Sequence, residues 1–177
     1  IMNMTLIEKA KKIRLLICDV DGVLTNGALF YGPGGSEIKK FSVHDGMGMK
    51  LLKKSGVELA IITAKKSQAV VQRMQDLNIE HVYQGQSDKL IAYADLKQKL
   101  GMKDDEVAYI GDDLPDLPIL IRAGLPVSVP NAPKMIHEHV AFVTNAAGGK
   151  GAVRELCEFI RKAQGTFDAA INAWLQR

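Results

Sequence analysis

The amino-acid sequence predicts an α/β fold, a Rossmann-like parallel sheet with helices on both faces. Short apolar segments alternate along the chain with longer segments of helical periodicity, which is the pattern of strand–helix–strand units. Two of the apolar segments, 13–18 and 107–110, are followed by carboxylates, and open α/β sheets bind ligands at the carboxyl ends of their strands. The chain has 177 residues, 47% of them hydrophobic, so a single domain over residues 1–177 with a sizeable core is expected.

Each expected strand is a short aliphatic segment, and each expected helix carries apolar residues three or four positions apart. The strands are expected at 13–18, 58–62, 81–83, 107–110, 125–129 and 141–144. The helices are expected at about 5–12, 47–56, 67–77, 87–101, 114–124, 132–139, 151–164 and 166–177. This alternation predicts a parallel sheet in which 13–18 is the buried central strand.

Capping and turn residues justify several of these boundaries. Thr5 and Glu8 have the spacing of a capping box at the start of the first helix. Ser87 can cap the helix that ends at Gly101. Pro115 is tolerated only near a helix start, so the helix that contains it is expected to begin near residue 114.

A β-hairpin is expected over about residues 28–41, where two apolar arms flank the Gly-rich turn 32–35. Residues 42–48 are expected to link it to the next helix. The helical spacing of that helix is carried by Met47, Leu51 and Leu52. The hairpin is too short to form a domain of its own, and residues 165–177 are expected to form a C-terminal tail of the same domain.

Carboxylates follow two of the expected strands. Asp19 and Asp21 follow the central strand, with Gly22 allowing a sharp turn, and Asp112 follows strand 107–110. Desolvating carboxylates is costly, so they indicate a cation or a chemical role. Oxygen ligands without cysteine or histidine suit Mg²⁺ rather than Zn²⁺. If the two strands are neighbours, the sequence predicts an Mg²⁺ site that also takes a phosphate oxygen from a substrate.

Composition and charge argue against several classes of partner. The net charge is only +3, and the basic residues are not interleaved with aromatic ones, so no nucleic-acid partner is expected. No segment has the length of a bilayer span and no signal-peptide pattern is seen, so no membrane association is expected. Two cysteines, Cys18 and Cys157, do not make a disulfide framework. The expected location is the cytoplasm.

Four segments, in order along the chain, resemble the motifs of the haloacid dehalogenase-like phosphatases. The first is Asp-Val-Asp-Gly-Val-Leu-Thr at 19–25, the second is Ile-Ile-Thr at 61–63, the third is Lys89, and the fourth is Gly-Asp-Asp-Leu-Pro-Asp-Leu-Pro at 111–118. One Asp-x-Asp-Gly alone would be weak evidence, whereas four ordered motifs are specific. The resemblance implies a hydrolase that forms an aspartyl-phosphate intermediate.

Three further segments, 41–46, 83–90 and 148–155, resemble the branch of this family that acts on 3-deoxy-D-manno-octulosonate 8-phosphate (KDO 8-phosphate). The resemblance covers about residues 13–165. It implies Mg²⁺-dependent hydrolysis of this phosphorylated acidic sugar to KDO and phosphate, in the synthesis of lipopolysaccharide precursors. It also implies an enzyme without a cap domain, whose hairpins pack into a homotetramer so that neighbouring subunits help to close each site.

The resemblance implies a role for each motif residue. Asp19 would be the nucleophile and, with Asp112, a metal ligand. Asp21 would be the general acid and base, and its backbone carbonyl would contact the metal. Thr63 and Lys89 would hold the oxygens of the transferring phosphoryl group.

Asp113 and Asp116 would orient water around the metal or cap the following helix.

Taken singly, several of these motif residues have a simpler structural explanation. Two acids spaced two residues apart often form a turn, Thr63 could cap the next helix, and Lys89 could be a solvated surface lysine. Their order and their positions at strand ends favour the catalytic interpretation.

Substrate contacts are implied at a second group of positions. The positions that match are Asp21, Ser42, Val43, His44, Asp45, Gly46, Lys50, Lys65, Arg73 and Lys89. The chain departs from the family at His44, where arginine is common, and at Ala64-Lys65, where a Gly-Arg pair is common. Lysine does not replace the bidentate fork of arginine, so both departures bear on substrate specificity. Lys150 or Arg154 could reach a neighbouring site, or they could belong to a flexible connector and a helix surface.

Two other functions remain open at this point. One is a phosphatase for another acidic sugar, such as a nonulosonate 9-phosphate. The other is a non-catalytic module of the same fold that serves as an assembly or regulatory partner, although the intact pair of Asp19 and Asp21 argues against it. His137 and His139 have no further ligands nearby in the sequence, so no second metal site is expected there.

Overall fold

The computed structural model describes residues 4–177. The strands of this part are β1 (Leu15–Cys18), β2 (Phe30–Tyr31), β3 (Glu37–Ile38), β4 (Glu58–Ile62), β5 (His81–Tyr83), β6 (Val107–Ile110), β7 (Leu125–Ser128) and β8 (Phe142–Val143). The α-helices are α1 (Leu6–Lys11), α2 (Val43–Lys54), α3 (Gln68–Asp76), α4 (Lys89–Leu100), α5 (Leu117–Leu120), α6 (Lys134–His137), α7 (Ala152–Ala163) and α8 (Phe167–Leu175). Short 3₁₀ turns lie at Pro33–Gly35, Asp104–Glu106 and Leu114–Asp116.

Six strands form one parallel sheet in the order β5-β4-β1-β6-β7-β8. β1 pairs with β4 on one side and with β6 on the other, so Cys18 lies opposite Ile61 and Ile110. The chain runs from β1 outward to β5 and then crosses to β6, and right-handed connections in opposite directions place helices on both faces. α7 packs against α1 and α2 in one layer, and α4 packs against α5 in the other. The expected fold class, with its central strand, is confirmed.

The core lies between the sheet and these helices. Every residue of β1 and of β6 is buried. The apolar face of α7 is the one that the sequence predicts. Its core residues include Val153, Leu156, Cys157 and Ile160. Because helices cover both faces of the sheet, the ends of the strands are where polar groups can meet a ligand.

Helix α2 begins at Val43, so the linker expected over 42–48 is wrong. Ser42 caps the helix, because its side chain accepts hydrogen bonds from backbone N–H groups of the first turn. Glycine has a low helix propensity, and α2 contains Gly46 and Gly48. In the structure both glycines are buried, and arginine side chains of α3 and α7 pack against them. This close packing outweighs the low helix propensity.

Other boundaries differ in smaller ways. Asp88, rather than Ser87, caps α4 by accepting a hydrogen bond of 3.0 Å from the backbone N–H of Leu90. The helix expected over 114–124 is split, because a 3₁₀ turn forms its start and α5 ends at Leu120. The first helix has the expected capping box.

The hairpin is shorter than expected. β2 and β3 pair antiparallel over two residues each, with Phe30 opposite Ile38. Both side chains are exposed in the single chain, at 49% and 60%. Among the described residues, nothing larger than this hairpin separates β1 from α2, so no cap domain is inserted there. None of the helices over residues 4–177 combines the length and the apolar character that crossing a bilayer requires.

Candidate active site

The carboxyl ends of three neighbouring strands bring polar side chains together. Asp19 follows β1, Thr63 follows β4, and Asp112 follows β6 after Gly111. Because β1 lies between β4 and β6, these side chains converge on one edge of the sheet. Asp19 and Thr63 are almost fully buried. The neighbouring strands that the sequence argument assumed are therefore present.

These residues line a cleft of about 270 Å³. The residues around it are Asp19, Asp21, Gly27, Thr63, Ala64, Lys65, Lys89, Asp112, Asp113, Pro115 and Asp116. The cleft thus contains each residue to which the sequence assigned phosphoryl-transfer chemistry, together with Lys65 from the substrate-binding group.

Lys89 connects two of the carboxylates. Its Nζ donates a hydrogen bond of 2.9 Å to Oδ1 of Asp19 and one of 2.7 Å to Oδ1 of Asp116. The side chain is only 2% exposed. Burial lowers the pKa of Lys89, but the neighbouring charges of Asp19 and Asp116 outweigh that effect and raise the pKa. The cleft therefore holds a fixed ammonium ion at its base, and the surface-lysine alternative does not apply.

Asp116 is an organising residue of the cleft. Its Oδ1 also accepts a hydrogen bond from the hydroxyl of Tyr109. Its Oδ2 accepts hydrogen bonds from the backbone N–H groups of Asp112 (2.9 Å) and Asp113 (3.1 Å). Both oxygens are therefore used, and this carboxylate helps to hold the loop after β6 in place. Sequence reasoning missed Tyr109, although a hydroxyl within a buried strand next to an acidic loop was a usable signal.

The carboxylates carry more negative charge than Lys89 neutralises. Asp19, Asp112 and Asp116 each offer an oxygen, and the three atoms lie within 4.8 Å of one another. Burial and the charge of Asp116 raise the pKa of Asp19 well above its usual range, despite the lowering effect of Lys89. Burial and the charges of Asp116 and Asp113 raise the pKa of Asp112 to about 6, although a hydrogen bond with Asp19 lowers it. Such a cluster is stabilised by a proton or by a cation.

The donor set fits a hard divalent cation. Asp116 is fully hydrogen-bonded, so Asp19 and Asp112 are the carboxylates with oxygens left for an ion, and all donors are oxygens. Gly22 has a φ of +86°, and a Cβ atom on it would collide with the carboxylate of Asp112. The turn after β1 is thus shaped so that Asp112 can approach it closely.

Asp21 contacts the hairpin rather than the other carboxylates. Its Oδ1 accepts a hydrogen bond of 2.6 Å from Nζ of Lys39, which also forms an ion pair with Glu37. Lys39 directly follows β3, and its side chain is 3% exposed. Sequence reasoning missed this residue, because nothing in the local pattern distinguishes it from Lys40.

The Gly-rich segment before α7 supports the turn that carries Asp21. The backbone N–H of Gly149 donates a hydrogen bond of 2.9 Å to the carbonyl of Val23. Asn131 bridges the two segments, because its amide donates to the carbonyl of Gly22 (3.0 Å) and accepts from the N–H of Gly148 (2.8 Å). This segment therefore stabilises the turn after β1 in addition to connecting β8 to α7. Lys150, which follows, is exposed.

The remaining predicted substrate contacts lie outside the cleft of their own chain. They are Ser42, Val43, His44, Asp45, Gly46, Lys50 and Arg73. Arg73 donates a hydrogen bond of 3.0 Å to the carbonyl of Ser42. Asp45 is buried and accepts a hydrogen bond of 2.9 Å from the backbone N–H of Arg154, which joins α2 to the first turn of α7. Val43 and His44 are exposed.

Comparison with known proteins adds three findings. A model of the haloacid dehalogenase-like hydrolase family matches residues 67–156. The 3-deoxy-D-manno-octulosonate 8-phosphate phosphatase KdsC of Escherichia coli strain K12 is 48% identical over 164 residues, which cover 93% of this chain and 87% of that protein. The KdsC protein of Yersinia pestis is 45% identical over 164 residues, covering 93% of this chain and 88% of its own.

Solved structures give the same result. The 3-deoxy-D-manno-octulosonate 8-phosphate phosphatase of Moraxella catarrhalis, in complex with magnesium, phosphate and KDO, superposes with a TM-score of 0.93 and 47% identity over 96% of this chain and 97% of that one. The cobalt-bound deoxy-D-mannose-octulosonate 8-phosphate phosphatase of Haemophilus influenzae superposes with a TM-score of 0.88 and 38% identity over 91% of this chain and 94% of that one.

Proposed function

This chain belongs to the haloacid dehalogenase-like hydrolases, and we propose that it is a phosphatase that hydrolyses KDO 8-phosphate to KDO and inorganic phosphate with the help of Mg²⁺. The observation that carries the proposal is the buried contact between Lys89 and Asp19 at the base of a cleft that also holds Asp21 and Asp112. Phosphate monoesters hydrolyse very slowly in water, so the enzyme must supply a positioned nucleophile and neutralise charge.

In the first step, a carboxylate oxygen of Asp19 attacks phosphorus, and the bond between phosphorus and the sugar oxygen breaks. Asp21 gives a proton to the departing alkoxide. The ammonium of Lys89 and the hydroxyl of Thr63 hold the oxygens of the phosphoryl group as it moves. The products of this step are free KDO and an aspartyl phosphate on Asp19.

In the second step, water attacks the phosphorus of the aspartyl phosphate. Asp21, now ionised, accepts a proton from that water, and the carboxylate of Asp19 leaves. Inorganic phosphate is released, and Asp21 again carries the proton that it gave away in the first step. The cycle therefore needs no other proton donor.

Asp19, Asp112 and the backbone carbonyl of Asp21 would hold the Mg²⁺ ion. When bound, the ion supplies charge neutralisation between the carboxylates and the phosphate dianion, so that the two can approach. Asp113 and Asp116 would help to position the loop that carries Asp112. The support for this assignment is the oxygen-only donor set with its excess negative charge.

KDO carries a carboxylate, so cationic groups are expected around the sugar. Lys65 lines the cleft and is exposed, which makes it available for this role. We propose that the other substrate contacts come from a neighbouring subunit of a homotetramer, through Ser42, Val43, His44, Lys50 and Arg73. Asp45 and Gly46 are buried and would support this segment from within their own chain. The exposed apolar side chains of the hairpin, Phe30 and Ile38 among them, support an assembled form.

A location in the cytoplasm is part of the same proposal. Cys18 and Cys157 are both free and buried, as expected where thiols stay reduced. Fractionation of cells that express the tagged protein would test the location, and analytical ultracentrifugation would test the tetramer.

The activity is tested by phosphate release from a panel that contains KDO 8-phosphate, a nonulosonate 9-phosphate and common hexose phosphates, each with Mg²⁺ and with EDTA. We expect a strong preference for KDO 8-phosphate that EDTA abolishes. Asp19→Asn should be inactive, and Asp76→Asn, which alters an exposed carboxylate at the end of α3, should match the wild type.

Two other outcomes would reject either the substrate or the enzymatic activity. Preference for the nonulosonate 9-phosphate would keep the chemistry and attribute the change in substrate to His44 and Lys65. Absence of hydrolysis on every substrate by folded protein would reject the enzyme function and favour the non-catalytic module.

A further inference from the structure

We propose that Lys39 is a positioning residue for Asp21, which it holds in the orientation needed for both proton transfers, and that it makes the position of the hairpin part of the catalytic machinery. The inference rests on the proposed phosphatase function and adds a residue to it. It follows from the close contact between Lys39, which directly follows β3, and the one carboxylate that must move a proton in each step.

The first observation is the geometry of the contact. Nζ of Lys39 lies 2.6 Å from Oδ1 of Asp21, which is the distance of a strong, charge-assisted hydrogen bond. Glu37 provides the other anionic partner of the same ammonium group. With a carboxylate on two sides, the ammonium is fixed in position and cannot act as a freely moving surface charge.

The second observation is burial. The side chain of Lys39 is 3% exposed, whereas the side chain of Asp21 is 29% exposed. Exposed ion pairs contribute little because solvent competes for both groups. Here solvent reaches the carboxylate but hardly reaches the lysine, so Lys39 sets one boundary of the space in which Asp21 can rotate.

The third observation is where Lys39 comes from. Its neighbours on the hairpin, Phe30, Tyr31 and Ile38, are exposed in the single chain. Lys39, by contrast, contacts Asp21 in the catalytic centre. Any contact that shifts the hairpin will shift the ammonium, and the orientation of Asp21 will follow.

Asp21 acts as an acid in the first step and as a base in the second, and a substrate with a better leaving group separates the two roles. The sugar alkoxide needs a proton to leave, whereas nitrophenolate leaves readily without one. Hydrolysis of the aspartyl phosphate needs Asp21 as a base with either substrate. A variant that misplaces Asp21 should therefore still form the aspartyl phosphate from p-nitrophenyl phosphate but should hydrolyse it slowly.

The test compares Lys39→Met, Lys39→Arg and the wild type. Lys40→Met is the matched control, because Lys40 is the next residue and is exposed. With KDO 8-phosphate, Lys39→Met should lower kcat by about 10–100-fold with KM changed by less than about threefold, since acid–base catalysis contributes about 10²–10⁴-fold. With p-nitrophenyl phosphate, it should give a stoichiometric burst of nitrophenol and phosphate retained on the enzyme after acid quenching. Lys39→Arg should restore part of kcat and shrink the burst, and Lys40→Met should behave as wild type.

Two results would overturn the inference. One is a Lys39→Met enzyme whose kcat equals that of the wild type. The other is a loss of activity that appears equally in the nitrophenol burst and in turnover, with no retained phosphate, because that is the behaviour of a general structural defect. If Lys39→Met does not fold, as judged by circular dichroism, Lys39→Gln, which also removes the ammonium group, decides the question: an unchanged kcat and no retained phosphate would reject the orienting role.

The two substrates keep this inference separate from the proposed function. Wild-type hydrolysis of p-nitrophenyl phosphate without hydrolysis of KDO 8-phosphate would reject the substrate and leave the Lys39 test intact. A folded wild type that is inactive on both substrates would reject the phosphatase function and the role of Lys39 together.

Discussion

The ammonium of Lys89 and the carboxylate of Asp19 are 2.9 Å apart, and both side chains are buried. Lys89 begins α4 and Asp19 follows β1, so the contact joins residues 70 positions apart in the sequence. The lysine neutralises the carboxylate before any phosphate arrives. In the proposed reaction the same ammonium faces the phosphoryl oxygens while Asp19 attacks, so a single cation serves the resting and the reacting site.

Replacing Lys89 should damage stability as well as activity. Lys89→Met leaves Asp19 and Asp116 without their shared cation, and breaking a buried ion pair costs about 3–5 kcal/mol. Phosphate release should fall by about 10²–10³-fold, the usual cost of losing an electrostatic contact to the transition state. Urea unfolding in EDTA and steady-state kinetics would measure the two effects. Lys99→Met, on the exposed side of the same helix, should leave both stability and kcat nearly unchanged, because solvent screens its ion pair. Equal losses in both variants would contradict the prediction.

Tyr109→Phe tests whether the hydroxyl of Tyr109 positions Asp116 for catalysis or only stabilises the fold. The variant keeps the buried ring but removes the hydroxyl that donates to Asp116, so the unfolding free energy should fall by about 1 kcal/mol. Asp116 holds the loop of Asp112, so kcat should also fall, by about two- to tenfold. Tyr93→Phe is the matched control, because its buried ring also carries a hydroxyl bonded to a carboxylate, that of Asp104, but lies outside the cleft. It should lose similar stability with kcat unchanged; a similar drop in kcat for both variants would count against the role of Tyr109.

The position of the acidic site at one edge of the sheet could be predicted from the sequence, because the alternation of strands and helices indicates a parallel sheet. Aliphatic segments ending in acids predicted parallel strands, and parallel strands place their carboxyl ends at one edge. Asp19 and Asp112 therefore lie at one edge of the sheet, as the argument from neighbouring strands expected, whereas Thr63 was identified only through resemblance. Lys89 was identified only through resemblance, because a single lysine before a helix has no pattern of its own.

The side-chain network could not be predicted from the sequence. The contact of Lys39 with Asp21 depends on how the hairpin folds back over the site, and two adjacent lysines look alike before that fold is known. Gly46 and Gly48 are a second case in which contacts between distant residues decide the local structure. Their low helix propensity is a local signal, but packing of distant arginines against them decides that α2 begins earlier.

Gly22→Ala should weaken Mg²⁺ binding through a steric effect. A Cβ atom at this position would collide with the carboxylate of Asp112, so that side chain must leave the position in which it would bind the ion. Strain also arises because φ is +86°, and a left-handed non-glycine residue costs about 1–2 kcal/mol. We expect the Mg²⁺ concentration for half-maximal activity to rise at least about tenfold, by analogy with other changes next to metal ligands.

Gly34→Ala isolates the strain from the collision. Gly34 lies in the hairpin turn with a φ of +71°, and nothing lies within 4 Å of an added Cβ atom. This variant should lose only the stability that the backbone strain costs and keep the Mg²⁺ dependence of the wild type. If both alanine variants shift the Mg²⁺ titration equally, the fit of Gly22 to Asp112 is not what shapes the ion site.

The acidic cluster should make the metal-free protein less stable as the pH rises. The pKa of Asp112 is about 6 in the folded chain, whereas an unfolded aspartate has a pKa of about 3.9. The folded state therefore holds the proton more tightly, so stability falls as pH rises from about 4 to about 6 and stays lower above that range. A difference of about two units corresponds to at most about 3 kcal/mol. Asp112→Asn cannot ionise at this position, so in EDTA its Tm should fall less steeply across this window than that of the wild type.

Mg²⁺ should reverse this loss, because the cation competes with the proton for the same oxygens. The increase in Tm on adding Mg²⁺ should be larger at pH 8 than at pH 5 for the wild type and small at both values for Asp112→Asn. Asp105→Asn, which alters an exposed carboxylate outside the cleft, should respond to Mg²⁺ as the wild type does. An equal Mg²⁺ effect at both pH values would show that the protons and the ion bind to different groups, and the assignment of Asp112 as a metal ligand would then fail.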